Sequence, residues 1–155
     1  MAHSFVGIYL HIIFSTKNRT RTLSPALRDR LFPYMGGLIR ERNGDALLIN
    51  GVEDHIHILT RFPATITLSD FLRDIKSISA GWVHDSFSEA AAFGWQTGYA
   101  AFSVSRSNVD TVRDYIALQE EHHKRKTFQE EYLEFLERHG IEYDARFVFE
   151  KEIVG

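Results

Sequence analysis

The order in which strand-like and helix-like patterns follow one another constrains the fold of this chain most. From Phe5 to Phe14 apolar residues occupy every even position from Val6 onward, which is typical of a half-buried strand. A helical pattern follows, and the succession continues as strand, strand, helix, strand and two further helices. This order predicts an α+β domain of two split β-α-β halves with an antiparallel sheet, the ferredoxin-like arrangement.

Capping and helix-breaking residues mark the ends of these segments. Ser24 followed by Pro25 predicts the start of the first helix, and Asn43-Gly44 predicts its end. The remaining expected elements are strands over 46–49, 54–62 and 99–105, a helix capped by Thr67 or Ser69, a tyrosine-bearing helix capped by Ser107 or Asn108, and a last helix over 128–139. We expect helices on one face of the sheet, so the other face needs another cover or has a function.

Length and composition favour one compact, intracellular domain. The chain has 155 residues, of which 44% are hydrophobic, and we expect a single domain over residues 1–155. The absence of cysteine excludes disulfides and thiolate metal sites and fits a reducing compartment. The N-terminus has no signal-peptide pattern, and the longest apolar run, Val6 to Phe14, is too short to span a bilayer. We therefore expect a cytoplasmic protein that does not bind membranes.

The distribution of charge is more informative than its sum. A net charge of −3 at pH 7 argues weakly against nucleic-acid binding. Basic residues nevertheless cluster in the loop after the first strand and again after residue 122, and such local patches bind phosphate whatever the net charge. The candidate contacts to a nucleic-acid backbone are Lys17, Arg19, Arg21, Lys124 and Arg125. For each of them, a merely solvated surface position is the alternative.

Two histidines share one face of an expected strand. In Asp54-His55-Ile56-His57, alternate side chains point the same way, so both imidazoles face away from the isoleucine. Two imidazoles in this spacing can bind one metal ion, although the spacing alone also fits two structural histidines. Asp54 either orients an imidazole or a metal-bound water, or it ends the preceding turn.

Tyr115 and Gln119 are four residues apart and are expected to be neighbours on a helix surface. The glutamine oxygen suits Mg²⁺ or Mn²⁺. A tyrosine hydroxyl, with an unperturbed pKa of about 10, is a weak nucleophile that needs a metal ion to polarise its target. The alternative for this pair is a tyrosine ring packed on the sheet with a glutamine at the rim. No side chain stands out in the sequence as a base for the phenol.

Together these motifs resemble a known enzyme family. Asp54-His55-Ile56-His57 resembles the histidine-hydrophobe-histidine (HUH) motif of single-strand DNA nucleases, and Tyr115-Ile116-Ala117-Leu118-Gln119 resembles their tyrosine helix. Their order is similar to that of the single-tyrosine transposases of small bacterial insertion sequences, including the REP-associated tyrosine transposases. The resemblance extends over nearly the whole chain.

The resemblance implies a mechanism and partners. His55, His57 and Gln119 would hold Mg²⁺ or Mn²⁺, and Tyr115 would attack a phosphate of single-stranded DNA. The product would be a 5′-phosphotyrosine link that a second 3′-hydroxyl resolves without ATP. DNA hairpins at element ends would be the substrate, and a homodimer would act on them. The alternatives are a host-adopted nickase and ligase acting on repeated chromosomal hairpins, and a non-catalytic nucleic-acid-binding module.

Four further residues are candidates for the site, and three of them have a second interpretation. His123 is placed, with Asp54, around the expected metal ligands, where it would contact phosphate or assist protonation; a solvated helix histidine is the alternative. His11 either lies near the metal pair or only packs. Trp95 and Tyr99 are candidates for stacking on unpaired bases, with core packing as the alternative for Trp95.

Overall fold

The computed structural model describes residues 3–149, which form a four-stranded antiparallel sheet with helices on both faces. The strands are β1 (Tyr9–Ser15), β2 (Asp45–Gly51), β3 (His55–Arg61) and β4 (Ala100–Val104). The α-helices are α1 (Pro25–Glu41), α2 (Leu68–Ser86), α3 (Val109–Ala117), α4 (Gln119–His122) and α5 (Phe128–Arg138). The strand order β2-β3-β1-β4 confirms the predicted ferredoxin-like α+β fold.

The pairing register decides which side chains share a face of the sheet. The central strand β1 pairs with β3 so that Ile13 lies opposite His57 and His11 opposite Leu59. Directly opposed residues of an antiparallel pair point to the same side. The expected metal pair on β3 therefore shares its sheet face with His11, Ile13 and Leu59.

The two faces of the sheet have different covers. Helices α1 and α2 pack on one face over a large apolar core that includes Ile12, Phe14, Ile56 and Ile58. Helix α5 covers part of the other face through Phe128, Tyr132 and Leu136, and helix α3 covers the rest through Val109 and Ile116. The sequence analysis expected helices on one face of the sheet only. The second face is also covered, and one of the helices that cover it, α3, carries Tyr115.

Local sequence signals explain most helix starts. The Ser24 hydroxyl accepts a hydrogen bond from the Leu27 amide at 3.2 Å, and Thr67 accepts one from the Asp70 amide at 3.2 Å. Helix α3 differs, because a 3-10 turn over Arg106–Asn108 precedes it and its N-cap residue makes no side-chain capping bond. The predicted caps of α1 and α2 are present, and that of α3 is not.

Two predicted elements need correction. The first strand begins at Tyr9 rather than Phe5, because the ladder with β3 ends where Tyr9 meets Arg61. Tyr115 and Gln119 do not share one helix: α3 ends before Leu118, whose φ of −102° and ψ of 28° break the helix. The Asn50 amide of β2 donates to the carbonyl oxygen of Ile116 at 2.9 Å and so occupies the broken end.

No helix within residues 3–149 is long and apolar enough to cross a membrane.

Candidate metal centre and tyrosine site

The two strand histidines lie at the centre of the sheet face covered by α3 and α5. His55 and His57 are both fully buried, and their ring centroids are 5.3 Å apart. The alternation of β3 sends Ile56 and Ile58 into the opposite core, as the sequence pattern predicts. The same alternation brings both imidazoles to one point beneath the C-terminal helices.

A carboxylate from α5 lies between the imidazoles. Oε1 of Glu131 is 2.9 Å from Nε2 of His57, 3.3 Å from Nε2 of His55 and 3.1 Å from Nε2 of His123. Its side chain is 1% exposed. One nitrogen from each histidine and one oxygen of Glu131 lie within 4.8 Å of one another. These four residues, the His3Glu cluster, can hold a metal ion.

Sequence analysis missed Glu131, although a signal was present. Phe128, Tyr132 and Phe135 form the apolar stripe of α5, and Glu131 falls within that stripe at i+3 from Phe128 and i−4 from Phe135. A lone carboxylate on a buried helix stripe requires partners, because an unpaired buried charge is strongly unfavourable. The adjacent acidic residue Glu130, which belongs to the capping box of the helix, makes the signal harder to see.

The tyrosine contacts the same carboxylate. The Tyr115 hydroxyl donates a hydrogen bond to Oε2 of Glu131, and its ring centroid lies 6.2 Å from that of His57. On its other side the ring stacks on His122, with centroids 4.3 Å apart. The Glu131 carboxylate therefore bridges the phenol oxygen, through Oε2, and three imidazoles of the same chain, through Oε1.

Buried polar atoms without partners mark the site as suited to a cation. Gln119 is fully buried, and its amide oxygen makes no hydrogen bond within the described chain. Nε2 of His55 likewise makes no hydrogen bond there, despite its proximity to Glu131. Buried polar groups are nearly always satisfied, so these donor atoms fit a bound divalent cation.

Two more side chains contact the outer nitrogens of the imidazoles. Oδ1 of Asp54 lies 2.7 Å from Nδ1 of His55, so Asp54 does more than end a turn. Nε2 of His11 lies 2.8 Å from Nδ1 of His57, so His11 lies beside the pair. Partners of this kind fix the orientation and tautomer of metal-binding histidines.

Burial and charge shift the pKa values of the histidines in opposite directions. Complete burial lowers the pKa of His57 to about 4, although Glu131 opposes the shift. This histidine is therefore neutral at pH 7, as metal ligation requires. Burial also acts to lower the pKa of His55, but the adjacent carboxylates of Asp54 and Glu131 outweigh it and raise that pKa.

The pKa values of the Glu131 carboxyl and the Tyr115 phenol also shift, in opposite directions. Burial acts to raise the pKa of Glu131, but the imidazoles of His123, His55 and His57 outweigh it and hold that pKa far below its usual range. Burial and the negative charge of Glu131 raise the pKa of Tyr115 well above its usual value. In this arrangement the phenol therefore keeps its proton.

The predicted DNA-contacting residues separate into groups. Arg21 and Lys124 line one cavity of about 370 Å³ together with Asp54 and His123. Arg19 lines a larger cavity of about 610 Å³. Lys17 and Arg125 line neither of these two cavities.

The basic side chains near the site also have acidic partners. Arg21 forms an ion pair with Glu53, and Lys124 forms one with Glu121 at 3.0 Å. Both pairs are exposed, and exposed pairs contribute little stability. Either cation can therefore exchange its partner for a phosphate at small cost.

The two candidate stacking residues differ in their surroundings. Trp95 is 8% exposed and donates from its ring nitrogen to the Ser79 hydroxyl at 3.0 Å, so it packs in the core. Tyr99 lines the larger cavity beside Arg19 and Tyr132. Tyr99 is therefore placed where a base could reach it.

Comparisons with known proteins identify relatives of this chain. Residues 4–119 match a family described as transposase, IS200-like. A Salmonella typhimurium protein described as the transposase for insertion sequence element IS200 is 26% identical over 129 residues, which are 80% of this chain and 84% of that protein. A Salmonella typhi protein of the same description aligns equally well.

Two solved structures share the fold. A putative transposase from Deinococcus radiodurans has a TM-score of 0.62 and 20% identity, covering 77% of this chain and 96% of its own. A structure described as a REP-associated tyrosine transposase bound to a REP hairpin has a TM-score of 0.59 and 15% identity, covering 100% and 98%. At these identities the likeness shows the fold alone. The family match ends at Gln119, so helix α5 and Glu131 lie beyond it.

Proposed function

The chain belongs to the family of IS200-like transposases, and from this premise we propose that it cleaves and rejoins single-stranded DNA through a covalent link to Tyr115. One observation carries the proposal: the Tyr115 hydroxyl and the imidazoles of His55, His57 and His123 meet at one buried carboxylate. A nucleophile beside a cluster of metal-ligating side chains suits phosphodiester chemistry. A tyrosine that only packed against the sheet would not need this setting.

His55, His57 and Gln119 are the residues that would hold Mg²⁺ or Mn²⁺. Nε2 of His55 and the amide oxygen of Gln119 fit a cation, because both atoms are buried without hydrogen-bond partners in the described chain. A bound divalent ion supplies positive charge that polarises a phosphate. Asp54 and His11 would orient the two imidazoles through contacts at Nδ1 of His55 and Nδ1 of His57.

Tyr115 provides the nucleophilic oxygen. That oxygen would form a bond to phosphorus while the bond from phosphorus to the 3′ oxygen breaks, leaving a 5′-phosphotyrosine and a free 3′-hydroxyl. The phenol would lose its proton as it attacks, and the departing 3′ oxygen would take up a proton to become the hydroxyl. The negative charge of Glu131 opposes the loss, because it raises the pKa of the phenol. A second 3′-hydroxyl would reverse the step and restore the phosphodiester.

We propose DNA hairpins as the substrate, with Arg21 and Lys124 beside the site as backbone contacts. One structural neighbour is described as bound to a REP hairpin, and the basic cavity next to Asp54 and His123 suits phosphate. A mobile element's transposase and a host-adopted nickase would use the same site. Genomic flanks would separate them, because a mobile element carries the same ends at several loci.

The test of the proposed chemistry is a covalent protein–DNA adduct. The wild-type chain, incubated with a single-stranded hairpin and Mg²⁺ or Mn²⁺, should form an adduct that survives denaturing electrophoresis. Tyr115→Phe should abolish the adduct and strand cleavage but keep hairpin binding, because it removes only the attacking oxygen. Cleavage at the wild-type rate in this variant would refute the assignment, and absence of any wild-type adduct would favour the non-catalytic binding module.

We further propose that the active form is a homodimer, because strand exchange needs two tyrosines to cut two junctions. In the present arrangement Tyr115 meets the histidines of its own chain, so a shared site requires the tyrosine helix to move to the partner. A mixture of Tyr115→Phe and His57→Ala proteins should then regain cleavage through one intact composite site. No rescue between two variants that still dimerise would mean that each chain has its own complete site, and light scattering that shows only monomers would refute the dimer.

A further inference from the structure

We propose that the His3Glu cluster, His55, His57, His123 and Glu131, is a tetrahedral Zn²⁺ site that locks helix α5 over the tyrosine. Three of the four side chains are at most 1% exposed, and that of His123 is 10% exposed. They come from β3, from the segment after α4 and from α5. An ion bound by all four would therefore connect the sheet to the C-terminal helix.

The distances from the carboxylate oxygen to the three imidazole nitrogens are close to those in a coordination shell. Zinc–nitrogen bonds are about 2.0–2.1 Å long, so two ligand atoms on a tetrahedral ion lie roughly 3.3 Å apart. Oε1 of Glu131 is 2.9, 3.1 and 3.3 Å from the nearest nitrogens of His57, His123 and His55. A small outward shift of Glu131 would bring these distances to the tetrahedral value.

The chemistry of the donors selects the ion. Three imidazoles and one carboxylate are ligands that Zn²⁺ takes in proteins, whereas Mg²⁺ prefers oxygen ligands in an octahedral shell that keeps several waters. The cluster offers one oxygen and three nitrogens. It should therefore bind Zn²⁺ and discriminate strongly against Mg²⁺.

Occupation of all four positions would make the site inactive. A zinc site with four protein ligands has no position left for a substrate, whereas catalytic sites keep one open. Glu131 would remain beside Tyr115, whose hydroxyl it already binds. This consequence for cleavage rests on the proposed function, but zinc binding itself does not.

Zinc affinity measured by calorimetry on the full chain tests the site. The wild-type chain should bind one Zn²⁺ per chain, and Glu131→Gln and His123→Asn should each weaken binding by at least ~100-fold, since loss of even an outer partner costs 10–100-fold. The matched controls are Glu134→Gln, an accessible carboxylate one turn further along α5, and His122→Asn, which lies outside the cluster. Both controls should bind Zn²⁺ as the wild type does.

Co²⁺ in place of Zn²⁺ reports the geometry, because tetrahedral cobalt absorbs visible light strongly and octahedral cobalt weakly. Strong absorption that is lost in Glu131→Gln or, should that variant unfold by circular dichroism, in His123→Asn supports the proposal. Weak absorption, no zinc binding, or unchanged affinity in both variants overturns it. One equivalent of Zn²⁺ should also stop cleavage supported by Mn²⁺, and continued cleavage by the zinc-loaded chain overturns the locking role. A wild-type chain that forms no covalent adduct with Mg²⁺ or Mn²⁺ refutes the proposed function and leaves the zinc titration valid.

Discussion

Replacement of Asn50 by alanine should destabilise the break between α3 and α4 and thereby displace the tyrosine. The Asn50 amide donates to the Ile116 carbonyl at 2.9 Å and lies 3.4 Å from that of Ala117. Carbonyls at a helix end have no partner inside the helix, and the break at Leu118 exposes these two. Losing the donor leaves a part-buried carbonyl unsatisfied, which costs about 1–2 kcal/mol.

A stability loss of that size lowers Tm by about 3–6 °C in a domain of this length. Differential scanning calorimetry of Asn50→Ala measures it. The adduct assay should show a larger effect. The rate of adduct formation should fall by up to ~100-fold, because a displacement of about 1 Å in a reacting group can lower a rate that much. Tyr115 lies three residues before the break at Leu118, and Gln119 lies directly after it.

The matched control is Asn108→Ala at the other end of α3. Asn108 occupies the N-cap position but makes no side-chain capping bond, so its truncation should change the free energy of unfolding by less than about 0.5 kcal/mol. Equal Tm values for Asn50→Ala and the wild type would refute the role of Asn50. An equal decrease in Tm in both variants would show that the loss of an asparagine, rather than of the bond to Ile116, causes the destabilisation.

Two further predictions concern metal and DNA. His57→Ala should weaken Mn²⁺ binding by more than ~10-fold in a calorimetric titration, because it removes a fully buried donor; unchanged affinity would mean that the histidines are structural. Joint replacement of Lys17, Arg19 and Arg21 by alanine should flatten the dependence of log affinity on log salt by up to ~0.7 per lost contact, without changing which phosphate is cut. An unchanged slope would place the DNA on another surface.

The parts of the fold that the sequence predicts are those set by local rules. Alternation along β1 and β3 assigns Ile12 and Ile56 to the main core, and the hydroxyl of Ser24 marks the start of α1. The start of β1 at Tyr9 could not be predicted, because it depends on where β3 ends. Strand ends are set by pairing partners, and a period-2 pattern continues whether or not a partner is present.

The features of the site likewise separate into those that local rules predict and those that depend on distant partners. The shared face of His55 and His57 follows from the strand period alone, and both histidines lie on that face in the structure. The contacts of His11 with His57 and of Asp54 with His55 needed the three-dimensional arrangement to distinguish them from simple packing. The helix break at Leu118 could not be predicted from spacing, because the bond from Asn50 joins residues far apart in the chain.

Glu131 shows why a motif describes only part of a site. The tyrosine and histidine motifs lie within residues 4–119, and the family match ends there. Yet the buried histidines, including His57, have an anionic neighbour on α5, outside that range. Burial lowers the pKa of His57 to about 4, and burial together with the charge of Glu131 raises the pKa of Tyr115, so the imidazole is neutral at pH 7 and the phenol keeps its proton. If Tyr115 acts as proposed, replacement of Glu131 in α5 should alter cleavage in the adduct assay even though no motif residue changes.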